Sequence, residues 1–372
     1  MLETIPGIVV EVGLGLQDIE AHWRDLTSRA SANVFMSPSF IGAAAATLAV
    51  RTLLLTAWER TARVDRLVGV WGLRRSRSWR FGPRVLSGPL NDFSFVSSPV
   101  VDRSRIDDVV PAFLDAIADD PSLPKIVRLR YLDGGSETGP AIVKALAARG
   151  SRGVVLAERE RAFATRAAGV KPSGSTRKKL RQSWNRLSAE GAVEIVNDRR
   201  PAAVTAGLEV FLKLEAGSWR GRTAMLADAA TAAFARKAIS DLADASAASV
   251  AILQIDGRPI ATQVLLYSGR TGYTWKTAFD PEYGRYSPGA LLVDKITAEL
   301  LSTGEVDAIE SCSPEGGFME EVWSGRRATI DLLIDLGRSG SLAFPLVEWQ
   351  ARARARLKAA RDSFGRTGLL QS

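Results

Sequence analysis

Two carboxylates and one turn carry the residue types and spacing in this chain that suit chemistry. Glu215 closes an apolar helical run (Leu208, Phe211, Leu212) just before Gly217-Ser218-Trp219. A carboxylate at a helix end beside a turn can face a cleft and take a proton as a general base. Glu310 follows a short apolar strand at 306–309 and is the second candidate base. The turn lies at 280–291. Tyr273, Trp275 and Phe279 before it alternate as in a strand, and Pro288 suits a first helical turn. Leu291, Leu292, Ile296 and Leu300 then fall at helical spacing. A strand, a turn and a helix start in that order leave backbone N–H groups free at a helix N-terminus, an arrangement that attracts phosphate. Around it, Tyr286 and Tyr283 are either loop anchors or proton donors to a leaving group, and Asp280-Pro281 reads as a turn former.

Four further residues are candidates for holding a substrate: Trp219, Arg220, Arg222 and Lys276. The two arginines are equally suited to pairing with Glu215, and Trp219 to a core position. Lys276 is expected on the strand face opposite Trp275, because side chains alternate along a strand.

Other chemistries lack their residues. A single histidine, His22, rules out a multi-histidine metal centre within the chain. It lies in a helix-like stretch with Ile19, Trp23 and Leu26, which argues against a Ser-His-Asp triad. The single cysteine, Cys312, has no basic neighbour to make it a nucleophile, forms no disulfide framework and fits a reducing, cytoplasmic setting. No metal is expected. No run of 18 apolar residues indicates a membrane span, and the start lacks a basic-then-apolar leader. A net charge of +8 suits phosphorylated ligands, polyanions or peripheral contact with an anionic membrane.

The elements that must position these residues read as mixed α/β. Strands are expected at 8–12, 51–58, 67–74, 126–131 and 153–156, and helices at 16–28, 38–49, 107–118 and 139–148. Segment 85–97 reads as irregular to extended, without a strand-to-helix turn. The second half repeats the theme: a strand at 193–196, helices at 202–214 and 227–242, then strands at 250–255, 260–267 and 272–279. Asp256-Gly257 and Gly269-Arg270 mark tight turns between those three. A helix at 288–301 and strands at 306–309 and 328–336 follow. Between the halves, a helix at 175–187 has the apolar stripe Leu180, Trp184 and Leu187. Its other faces carry Arg177, Lys178, Lys179, Arg181 and Arg186, either as a solvated surface or as an anion-binding arm. A second basic helix spans 349–361.

This order of elements is similar to the GNAT acetyltransferase fold, and two segments sharpen the resemblance. Phe211-Leu-Lys-Leu-Glu215-Ala-Gly-Ser-Trp219-Arg-Gly-Arg222 and Phe279-Asp-Pro-Glu-Tyr-Gly-Arg-Tyr-Ser-Pro-Gly-Ala-Leu-Leu resemble segments of the CelD-like GNAT proteins, bacterial acyltransferases associated with cellulose and exopolysaccharide production. Trp23-Arg-Asp-Leu and Val34-Phe-Met-Ser-Pro-Ser-Phe resemble their opening. The same two-domain plan is shared with FemABX-type transferases, which use aminoacyl-tRNA. The resemblance implies two tandem GNAT-like α/β domains: 1–165, without cofactor because it has no cofactor loop, and 166–345, binding acyl-CoA, followed by a basic C-terminal helix and tail at 346–372. It implies transfer of an acetyl or other acyl group from acyl-CoA to an amine or hydroxyl, with a small-molecule or saccharide acceptor. The cofactor set would be Thr277, Phe279, Gly284, Arg285, Ser287, Gly289 and Ala290, with Glu215, Glu310 and Tyr286 in catalysis. The loop departs from the usual pattern at Tyr286 and Leu291, while the central Gly289 is kept. The alternatives are transfer from aminoacyl-tRNA, with the 175–187 helix on the tRNA, and a degenerate GNAT scaffold without activity.

Overall fold

The computed structural model describes residues 7–13, 19–61, 65–218 and 223–368, with side chains described as far as residue 356. In chain order its elements are β1 (Gly7–Gly13), α1 (Glu20–Thr27), α2 (Pro38–Thr47), β2 (Thr52–Arg60), β3 (Asp65–Arg77), β4 (Arg84–Gly88), β5 (Val100–Val101), α3 (Ile106–Asp119), β6 (Ile126–Asp133), α4 (Thr138–Arg149) and β7 (Arg152–Thr165). Then follow α5 (Ser175–Ser188), β8 (Val193–Asp198), α6 (Pro201–Gly217), α7 (Ala229–Asp244), β9 (Ala248–Ile255), β10 (Arg258–Ser268), β11 (Thr271–Phe279), α8 (Pro288–Thr303), β12 (Ala308–Glu310), α9 (Met319–Val322), β13 (Arg326–Asp335) and α10 (Phe344–Gly368).

Two compact units result, and they are not consecutive halves. One comprises Met1–Ser31, Arg51–Arg159 and Ala328–Ser372; the other comprises Ala32–Val50 and Glu160–Arg327. This division differs from consecutive domains meeting at 165/166. The exchanged segment 32–50 shows why: its aromatic residues find their partners among residues of the second unit. Phe40 makes edge-to-face contacts with Phe234 and Trp275, and Phe35 with Tyr273. Each such pair adds roughly 0.5–1.5 kcal/mol beyond simple burial.

In the first unit the strand order is β1-β2-β3-β4-β6-β13-β7, with β5 on β3. The pairs β1–β2, β2–β3, β3–β4, β3–β5 and β6–β13 are antiparallel, while β4 and β6 run parallel through Leu86↔Val127. Helix α3 covers one sheet face, with Val109 and Phe113 close against Gly69 of β3. On the other face Phe344 and Val347 of α10 pack on Val85, Ile126 and Leu333. Strand β7 is much longer than expected from 153–156, because the Glu158-Arg159-Glu160-Arg161 run hides its apolar alternation. His22 is exposed on α1, its ring centroid 5.2 Å from that of Trp58 in an edge-to-face arrangement.

In the second unit the order is β7-β12-β11-β10-β9-β8. The tight turns fall where the dipeptides require them: Asp256 and Gly257 both take positive φ (48° and 78°), as a two-residue hairpin loop demands. Helices cover both sheet faces. On one, Gly207 of α6 approaches Val250 of β9 closely enough that an added Cβ would lie 2.9 Å from it. The alternate residues Ala251, Leu253 and Ile255 point to the other face, into the core formed with Leu291, Leu292 and Ile296 of α8 and Leu180 and Leu187 of α5. No helix among the described residues is long and apolar enough to cross a membrane.

Candidate active site

Strands β11 and β12 pair in parallel over three positions, Thr271↔Ala308, Gly272↔Ile309 and Tyr273↔Glu310. There β12 ends while β11 continues to Phe279, so the two strands part. The Thr274 hydroxyl anchors the point of divergence by donating to the Ser311 carbonyl at 2.7 Å. Beyond it, among the described residues, β11 keeps only β10 as a neighbour. Asp280 N–H donates to Ile260 at 2.8 Å. The alternation of an antiparallel ladder therefore turns the Thr277 and Phe279 N–H groups away from β10, toward the side that β12 has left.

A bulge at Trp275 changes what β11 presents. The β10–β11 register steps from Val264↔Lys276 to Leu265↔Thr274, so Trp275 is the extra residue. Alternation fails across that residue. Trp275 packs on Phe40 and Phe234, and Lys276 stays on the same face, with Nζ 3.9 Å from Oε1 of Glu215 on α6. The expectation that Lys276 faces away from Trp275 is corrected, because strict alternation holds only in an unbulged strand. Gln263 of β10, fully buried, fills the gap in the ladder. Its amide NH₂ donates to the Lys276 carbonyl at 3.0 Å and to the Val264 carbonyl at 2.9 Å, and its carbonyl accepts from the Thr277 hydroxyl at 2.5 Å. A glutamine inside the apolar run 260–267 was the sequence signal for it, and sequence reasoning passed over it.

Glu215 is 3% exposed. Its Oε2 accepts the Met225 N–H at 2.8 Å, and Oε1 faces Lys276. The carboxylate is thus held from both sides, at the end of the helix that covers this sheet face. Trp219, Arg220 and Arg222 lie outside the described residues.

Glu310 is equally buried, on β12, with Arg161 of β7 at 3.8 Å and the Cys312 N–H at 3.3 Å from its Oε1. Arg161 is itself 4% exposed, a buried cation that sequence reasoning did not single out. Burial, and then the Glu310 charge, push the Cys312 thiol well above its ordinary range. A thiolate nucleophile is disfavoured there.

The α8 N-terminus completes the picture. Gly289 lies against β11: a Cβ built there meets Thr277 Cγ2 and Phe279 Cδ1, each at 3.4 Å. Ser287 adopts a left-handed conformation (φ 53°), and its side chain caps nothing. The Leu291 N–H bonds back to the Ser287 carbonyl, and Pro288 has no N–H. The Gly289 and Ala290 amides are left as the orphan donors of the first turn. Leu291 is buried in the core under α8 and does not point into the loop.

Gly284, Arg285 and Tyr286 sit in the 3-10 turn Pro281–Tyr286 that leads into this helix. Tyr286 donates its hydroxyl to Glu190, which pushes the phenol above its usual pKa. Arg285 covers its ring at 4.7 Å. Tyr286 packs in the α5–α8 core, on the sheet face opposite Glu215. With Glu190, Arg258, Glu282 and Tyr283 it lines a polar cavity of about 410 Å³. The fold therefore brings Thr277, Phe279, Gly289 and Ala290 together, and Glu215 with Lys276. Tyr286 stands apart from the Glu215 pair.

Residues 174–312 match the family model described as an acetyltransferase (GNAT) domain. Among solved structures the chain is similar to FemX, at 11% identity over 87% of this chain and 96% of that one, with a TM-score of 0.57. It is also similar to the C-terminal domain (DUF2156) of a protein assigned as a lysylphosphatidylglycerol synthetase from Agrobacterium fabrum, at 13% identity, 85% and 92% coverage and a TM-score of 0.51. A conserved protein of unknown function from Bacteroides thetaiotaomicron gives 12% identity, 87% and 100% coverage and a TM-score of 0.50. At such identities the likeness concerns the fold. No curated protein matches the chain significantly in sequence. The strand divergence, the bulge and the helix start all lie within residues 174–312, the segment similar to the acetyltransferase (GNAT) domain, in a mixed α/β fold that ends in a C-terminal helix.

Proposed function

We propose that this protein is an acyltransferase that moves an acyl group from an acyl-CoA to an amine or hydroxyl acceptor, with Glu215 as general base. The observation that carries the reading is the divergence of β11 from β12 beside a bulge that sets Lys276 against Glu215. The residues fit the donor. The bare Gly289 lets the α8 start lie against β11, and two orphan amides there suit a pyrophosphate.

The donor supplies an activated carbonyl and a thiolate leaving group. The chain supplies the rest. The Thr277 and Phe279 N–H groups line the gap where a linear amide-bearing arm, or the carbonyl oxygen gaining charge, needs donors. Glu215 takes the acceptor's proton as its nitrogen or oxygen attacks, and Lys276 and the Met225 N–H fix the carboxylate's orientation. Glu310 is read as a strut held by Arg161, and Tyr286 as the anchor of the 281–286 turn. Trp219, Arg220 and Arg222 follow α6 directly and are assigned to the acceptor. A saccharide acceptor, a role in exopolysaccharide production, a cytoplasmic setting and peripheral membrane association rest on sequence resemblance and net charge.

A second reading, an aminoacyl-tRNA donor, draws on α5, whose Lys178, Lys179 and Arg181 are exposed. Calorimetric titration with acetyl-CoA and longer acyl-CoAs, beside bulk tRNA, separates the two. Saturable acyl-CoA binding, with turnover lost in Glu215→Gln, supports the first. Salt-sensitive tRNA binding without acyl-CoA binding transfers the assignment to the second. Binding of neither leaves a non-catalytic scaffold.

A further inference from the structure

The first unit gathers positive charge on the sheet face that α10 covers. The strand registers align Thr52, Arg74, Ser87 and Arg128 in one row across β2, β3, β4 and β6. Val85, Ile126 and Leu333, which share that face by alternation or register, pack against Phe344 and Val347 of α10. Arg354, seven residues beyond Val347, continues the sheet-facing stripe of the helix. Its Nη1 donates to the Ser78 carbonyl at 2.9 Å. Arg130 lies two residues along β6 from Arg128, where the β6–β13 register steps, and its charge acts on Arg128.

Arg128 is therefore a half-buried guanidinium on an interior strand, in the same register row as Arg74 and within reach of the charges of Arg130 and Arg354. Burial, and then these three neighbours, hold it below its usual pKa. The acid that acts on it is Asp331, and Asp331 is already engaged. Its Oδ1 accepts the Tyr131 N–H at 3.1 Å, and its Oδ2 lies 3.0 Å from Arg159 Nη1. Among the described residues Arg130 pairs with the highly exposed Asp92, at 3.8 Å, and lies over the Tyr131 ring. Among the described residues Arg128 itself has no ion pair and no hydrogen bond. Thr52 Oγ1, at the end of the row, is buried without a hydrogen-bond partner. Such a cluster is unfavourable by itself, since burial and like charge both oppose the guanidinium.

We infer that the patch formed by Arg74, Arg128, Arg130 and Arg354 is a binding site for a phosphoryl group. Guanidinium forks match phosphate oxygens two at a time. Several cations around one half-buried position suit a dianion or pyrophosphate better than a single carboxylate. The ligand is either a soluble phosphorylated compound or a lipid phosphate, and the two share this chemistry. The inference does not rest on the acyltransferase reading, whose residues lie in the other unit.

The test is calorimetry with inorganic pyrophosphate at 150 mM NaCl, and flotation with vesicles containing about a third anionic phospholipid, a composition that sets a surface potential of physiological size. Wild type, Arg128→Gln, Arg74→Gln and the control Arg352→Gln are compared. The expected result is saturable binding weakened about tenfold or more in Arg128→Gln and Arg74→Gln, and unchanged in the control. Pyrophosphate binding assigns a soluble ligand; vesicle binding alone, with the same variant pattern, assigns a lipid. Without ligand, Arg128→Gln should melt at the same temperature or higher, because it removes an unpaired cation. Either a lower melting temperature with undiminished binding in Arg74→Gln, or no binding of either probe, overturns the site.

Discussion

Lys276 Nζ lies 3.9 Å from Glu215 Oε1 because β11 holds one residue more than β10 opposite it, at Trp275. Without the bulge the lysine would belong to the α8 face, and Glu215 would end α6 with no cation from the sheet. The pairing is thus made by a one-residue register step, whereas Glu310 meets its cation, Arg161, from the neighbouring strand β7.

Glu215→Gln should keep the fold, because the amide oxygen can still accept the Met225 N–H. Turnover should fall about 100-fold or more, the usual contribution of a positioned base, with donor affinity nearly unchanged. Lys276→Met should lower turnover less. Combining the two should show a coupling of about 1 kcal/mol in kcat/KM, typical of residues in contact. Strict additivity would remove Lys276 from the assignment, and full turnover in Glu215→Gln would remove the base.

Gln263→Leu probes the bulge directly. It leaves the Lys276 carbonyl and the Thr277 hydroxyl without the partners they have now. Each buried unsatisfied group costs about 1–3 kcal/mol, so urea denaturation should show a loss of about 2 kcal/mol or more. Turnover in the surviving folded protein should fall as Lys276 loses its placement. A variant as stable and as active as wild type would contradict the role given to Gln263.

Ser287→Asp separates donor binding from folding. Asp tolerates the left-handed conformation that Ser287 adopts, and it is a strong N-cap, worth about 1 kcal/mol. Its carboxylate would occupy the Gly289 and Ala290 amides. The melting temperature should hold or rise while acyl-CoA affinity drops about tenfold; undiminished affinity would move the phosphate contact elsewhere. Gly289→Trp is a poorer probe, because that position is buried against Thr277 and Phe279 and the ring would push α8 off the sheet.

Asp102 should contribute to the acid limb of stability in the first unit. Burial pushes its carboxyl up, but the Ser104 hydroxyl and N–H, then Arg29 and Arg66, outweigh burial and hold it below the usual range. Arg29 and Arg66 approach at 2.7 and 3.0 Å. A depressed carboxyl pKa adds stability above the unfolded value of about 3.9, and that stability is lost as pH falls through the folded value. Asp102→Asn should therefore cost about 3 kcal/mol at neutral pH, as in breaking a buried pair. The gap to wild type should close below about pH 4 as the wild-type carboxyl protonates. A gap independent of pH would point to packing instead of charge.

Cys312 should stay silent toward a thiol reagent at pH 7.5 and react on denaturation, since burial and Glu310 keep it protonated. Rapid labelling of the native protein would mean that the Glu310 region opens.

The sequence by itself determined the local grammar. Pro288 at a helix start, Asp256-Gly257 in a hairpin and the apolar periods of α6, α7 and α8 are decided by residues within a turn or two of each other, so they can be read without knowing the fold. The same locality placed Gly289 and Ala290 at a helix N-terminus and Glu215 at a helix end. Only the tertiary structure decided the rest. Lys276 changes face because β10 and β11 pair out of step, a property of two strands and not of one. Segment 32–50 joins the second unit because Phe35 and Phe40 find aromatic partners more than 190 residues away. Arg74, Arg128 and Arg354 meet through sheet register and helix packing, and no spacing in the sequence marks them. Periodicity fixes which way a side chain points from its own element; which charge it then meets depends on the pairing of elements far apart in the chain.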